Sequence, residues 1–61
     1  MATLSKEYLE RTYRQAVLEY RTAIDDNAKH QAMSVMAKTE RSAAELYGFD
    51  YADKLHGMIS N

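Results

Sequence analysis

The sequence predicts an all-α fold, and three observations carry the prediction. None of the 61 residues is proline, the first of two glycines is Gly48, and apolar residues recur at spacings of three and four before it. A chain this short buries little apolar surface against its conformational entropy, and without cysteine it has neither a disulfide nor a thiolate metal site to help. The expected help is self-association. The predicted architecture is a helical hairpin over residues 5–25 and 28–47 with a short C-terminal helix over 51–59, a single small domain dimerising into a helical bundle.

For the first helix, Thr3 or Ser5 supplies the N-cap, and Leu4 with Tyr8 offers an apolar clasp over the opening turn. Leu9, Tyr13, Ala16, Val17, Tyr20, Ala23 and Ile24 then fall on one face and form its core side. Glu7 with Arg11 and Glu10 with Arg14 stand four apart, acid first, and line the solvent side.

Asp25, Asp26 and Asn27 stop helices as a group and cap them individually, so the chain is expected to reverse there. The alternative is one uninterrupted helix from Ser5 to Tyr47, roughly 65 Å long, which would need a partner along its whole apolar stripe. In the second helix the stripe is Ala32, Val35, Met36, Ala43, Leu46 and Tyr47, with Met33 and Met36 filling irregular gaps. Gly48 ends it through a left-handed backbone, and Asp50 is placed to cap the third helix. That helix offers Ala52, Leu55, Met58 and Ile59 for docking, and Gly57 weakens its end.

Eight basic against nine acidic residues leave a formal charge of −1, too little for a general attraction to nucleic acid or anionic membrane. No run approaches the roughly 20 apolar residues of a membrane span, and no signal-peptide pattern opens the chain, so a cytoplasmic protein without membrane contact is expected.

Few residues could carry chemistry. Glu40 falls among Met33, Met36, Ala44 and Tyr47 on a helical projection, which puts a carboxylate at the border of the apolar face. There it meets an Arg, Lys or Tyr hydroxyl of a neighbouring helix, or else acts as an element that fixes register or specificity. His30 reads as solvated. Asp53 and His56 are three apart, a spacing that can share a metal or orient an imidazole, but no third ligand is evident and no metal or other cofactor is expected. Nucleophile, base and oxyanion donors are missing together, along with any glycine-rich phosphate loop, so no enzyme is expected.

The surface is more informative. Arg11, Arg14 and Arg21 surround Leu18 on the far side of the first helix, a candidate contact patch for an acidic partner, unless Leu18 is one stray leucine on a solvated face. Tyr8, off the main stripe, joins the candidates, and five of the six aromatics are tyrosines suited to half-buried seams.

The function expected from these features is a small non-enzymatic protein–protein interaction module, a regulator or inhibitor of phage or bacterial type acting on an unidentified protein partner. One alternative is a DNA-binding helix-turn-helix in residues 41–59, with Ala44 and Gly48 at the turn and Phe49 and Leu55 as anchors. It offers Lys54 against Asp50 and Asp53 on the would-be reading helix, an unfavourable balance for binding phosphate. A structural subunit of a larger assembly is the other.

Overall fold

Ser5 opens the first helix. Its side-chain oxygen accepts from the Tyr8 backbone N–H at 3.1 Å, so Ser5 rather than Thr3 is the cap seen here. The structure, a computed structural model, describes residues 4–60, and Thr3 lies outside them, as does the side chain of Ile59. Three helices follow in order, α1 (Lys6–Thr22), α2 (Asp26–Tyr47) and α3 (Phe49–His56), closed by a 3₁₀ turn (Gly57–Ser60). The fold is all-α, and α1 and α2 form the expected hairpin.

The reversal comes earlier than expected. α1 ends at Thr22, whose hydroxyl donates back to the Leu18 carbonyl at 2.9 Å, and Ala23 is already extended. Asp25 then takes the N-cap of α2 and accepts from the Ala28 N–H at 2.7 Å. Once Asp25 caps, Asp26 and Asn27 become the first helical residues, and a carboxylate at that position suits the positive end of the helix. Ile24 thereby leaves the helix and is 97% exposed, which corrects its assignment to the core.

One apolar cluster joins all three helices. Leu9, Tyr13, Ala16 and Val17 of α1 meet Met36 and Ala43 of α2 and Tyr51, Ala52 and Leu55 of α3. Tyr20, Ala44, Tyr47 and Met58 pack around it. The α2 stripe is narrower than predicted, because Val35 and Leu46 sit at its exposed rim while Thr39 lies buried between Met36 and Ala43. Thr39 tolerates burial because its hydroxyl donates to the Val35 carbonyl at 2.7 Å, leaving no unpaired polar atom.

Gly48 makes the corner between α2 and α3. Its φ of 94° with ψ of 164° is a conformation essentially reserved for glycine, and its N–H donates to the Ala44 carbonyl at 3.0 Å. The predicted positive φ is there, but α3 starts at once with Phe49, so Asp50 stands within its first turn instead of capping it. Among the described residues, no helix is long and apolar enough to cross a membrane.

Candidate interaction surface

The predicted arginine patch is one wall of a groove. On α1, Arg14, Leu18 and Arg21 follow each other at spacings of four and three, and Arg11 stands two turns before Leu18 and one turn before Gln15. The 3₁₀ turn after α3 adds Met58, so that Val17, Leu18 and Met58 form an apolar floor beside Arg11, Arg14, Gln15 and Arg21. The groove encloses about 540 Å³ and stays open to solvent along its length. Leu18 is 54% exposed within it. The Arg11 guanidinium lies 3.6 Å from Glu7, an exposed pair that contributes little and leaves the cation available at the rim.

Tyr8 is not part of this surface. It is half exposed but lies roughly 120° around the helix from Arg14 at 100° per residue, and it does not line the groove. Sequence reasoning, for its part, missed Met58 and Val17 as the floor. Both were read only as core or docking residues, and nothing local in the sequence says that the C-terminal turn comes back beside α1.

Glu40 lies at a junction of all three helices. Its Oε2 accepts from the Tyr13 hydroxyl at 2.7 Å, and the same oxygen is 3.3 Å from His56 Nδ1. Burial pushes the Tyr13 hydroxyl well above its ordinary pKa, and the hydrogen bond to Glu40 and that group's negative charge push it further in the same direction. The arrangement keeps Tyr13 protonated and donating. His56 therefore faces Glu40 on α2, which answers the question its spacing from Asp53 had raised. Beside the junction, Tyr20, Met33, Met36 and Ala37 line a second shallow groove that Glu40 and His56 close.

A third group of side chains binds the start of α1 to the α2–α3 corner. The Tyr47 hydroxyl donates to the Leu4 carbonyl at 2.6 Å, and Tyr47 and Tyr51 meet edge to face with centroids 5.5 Å apart. Lys6 Nζ stands 5.2 Å from the centroid of each ring. The Tyr51 hydroxyl is 2.8 Å from Glu10 Oε2 and 3.1 Å from the Lys6 carbonyl. It has one proton to give, and the charge-assisted bond to the carboxylate is the stronger. Burial and that carboxylate push Tyr51 up to about 12. Glu10, predicted to face Arg14, is thus turned toward α3.

At the corner itself, Phe49 is 80% exposed, the reverse of the buried anchor that a helix-turn-helix would make of it. Only Gly48 separates α2 from α3. His30 is exposed on α2, as predicted from the helical projection. Among the described residues, no three acidic or histidine side chains gather closely enough to hold a metal ion.

Comparison with known proteins found no matching protein family, no matching curated protein and no matching solved structure.

Proposed function

We propose that this chain is a small non-enzymatic interaction module, a regulator or inhibitor that takes an acidic segment of a partner protein into the groove along α1. The observation that supports this reading is the pairing of an apolar floor, Val17, Leu18 and Met58, with a wall of arginines. Arginine binds carboxylates through a planar fork of donors, and a floor of aliphatic and thioether groups accepts one large apolar side chain, so the fitting ligand alternates acid with a leucine or an aromatic residue. Association through such a groove is steered by charge and weakens as salt rises.

Self-association belongs to the same reading. The inner face of the hairpin is covered by Tyr51, Ala52 and Leu55 of α3, so a second copy has to meet an outer surface instead of completing a bundle interior.

The test is fluorescence anisotropy with a labelled peptide of aspartates and glutamates around one phenylalanine, against a peptide in which lysine replaces the acids. The acidic peptide is expected to bind, and Arg14→Glu and Leu18→Glu are each expected to weaken it at least tenfold with helicity by circular dichroism unchanged. Equal binding of both peptides, or full binding by both variants, removes the reading.

A further inference from the structure

The chain carries on its own surface the kind of element that its groove is suited to take. At the α2–α3 corner, Phe49 projects 80% exposed, with Glu45 and Asp53 lining the hollow beside it and Asp50 next along the chain. Glu40 and Arg41 line the same hollow and Lys54 follows on α3, so acid prevails around the ring by four, Glu40, Glu45, Asp50 and Asp53, to two, Arg41 and Lys54. The groove on α1 has the opposite character, with Arg11 and Arg14 over Val17, Leu18 and Met58. The two linings share no residue.

We infer that copies of this chain associate head to tail, the Phe49 corner of one entering the arginine groove of the next. This rests on the groove being a binding surface, as proposed above. With the groove of each copy taking the corner of a different neighbour, the contact is heterologous and forms rings or open chains. An aromatic ring entering an apolar floor and ringed by charge pairs is the usual composition of an interface hot spot. The formal net charge of −1 leaves little repulsion between copies to oppose it. Ile24 is more exposed still, but its neighbour Asp25 spends its carboxylate on capping α2, and an aliphatic side chain offers arginine no ring face to stack on. A contact confined to one ring and one groove is small, so the association is weak and dependent on concentration.

Complementation distinguishes this arrangement from any other. Arg14→Glu spoils the groove and keeps the corner, whereas Phe49→Ser spoils the corner and keeps the groove; both positions are exposed, and helicity is expected to be unchanged. In analytical ultracentrifugation the wild-type mass is expected to rise with concentration, while each variant alone stays at the monomer mass at least tenfold higher in concentration. An equimolar mixture is expected to form a complex of one chain of each kind that grows no further, since its remaining groove and remaining corner are both spoiled. Ile24→Glu is expected to associate like the wild type.

A wild-type chain that stays monomeric, a Phe49→Ser variant that still associates, or a mixture that stays monomeric overturns the inference. The acidic peptide separates this outcome from failure of the groove itself. If Phe49→Ser binds the peptide as the wild type does, the groove stands whatever the ultracentrifuge shows. If no chain binds it, both readings fall together.

Discussion

Where α1 begins and α2 stops, side chains from three helices interlock. Tyr47 bonds to the Leu4 carbonyl, Tyr51 to Glu10, and Lys6 sits against both rings. At the opposite end, the link through Ala23, Ile24 and Asp25 is flanked by local bonds, Thr22 to the Leu18 carbonyl and the Ala28 N–H to Asp25, and every side chain from Ile24 to Gln31 is exposed. The difference follows from length. α3 has 8 residues, about 12 Å of helix, whereas α1 has 17, about 26 Å, so α3 can cover only part of the hairpin. Tyr47 and Tyr51 serve the covered end because their hydroxyls reach the Leu4 carbonyl and the Glu10 carboxylate while their rings pack on the core. Local opening should therefore start at the link and leave the α3 end closed.

Several substitutions would break or sharpen this contrast. The largest effect is expected from Leu55→Ala, which removes a side chain with no exposed surface from the point where α3 meets both other helices. A loss of about 2–5 kcal/mol is expected by chemical denaturation, enough to unfold much of a chain this small. A loss below about 1 kcal/mol would mean that α3 is not part of the cooperative core.

Tyr51→Phe keeps the ring and removes the hydroxyl, so about 1–2 kcal/mol is expected to go with the bond to Glu10. The same variant carries a pH signature. The folded-state pKa of Tyr51 is raised from 10.0 to about 12, so its contribution is complete below pH 10 and is lost as pH rises through that window, where the unfolded chain ionises first. Tyr13 is raised as well and adds to the loss. Wild-type stability is expected to fall as pH rises above 10, and Tyr51→Phe to fall less steeply, as read from denaturation midpoints alongside tyrosine absorbance. Parallel slopes would show that the Tyr51 hydroxyl is not held as described.

At the other end the effects shrink. Asp25→Ala deletes the α2 cap, and a loss of about 1 kcal/mol is expected, with hydrogen exchange accelerating first near Ala28 and Lys29. Ile24→Ser should change stability by less than about 0.5 kcal/mol, because 97% of the side chain is already in water. A larger loss would place Ile24 in a contact between copies and count against the Phe49 corner as the self-association surface.

How far the molecule was legible depended on the range of the interaction. The Ser5 cap, the positive φ at Gly48 and the reversal near Asp25 were readable because each depends on neighbours within about four residues. The helix bounds around the reversal were off by up to three residues, since three consecutive polar side chains could each have capped α2 and only packing selects among them. Leu18 and the arginines were readable as a patch because a single helix sets their common face. Met58 was not readable as part of it, nor was the separation of Tyr8 from it, because both depend on where a different element comes to rest.

From sequence alone, then, came what a single helix can decide for itself: that the chain is helical, that capping residues stand near Ser5 and Asp25, where the glycine corner lies, and which residues share a face. Helical periodicity and capping act over a turn or so of backbone, and they leave their mark in adjacent letters. The tertiary structure alone decided that Thr39 is buried while Val35 and Leu46 stay at the rim, that Glu40 joins Tyr13 to His56, and that the C-terminal turn completes the arginine groove. Those outcomes depend on how three helices share a limited apolar surface, and no residue carries that information until the others have packed against it.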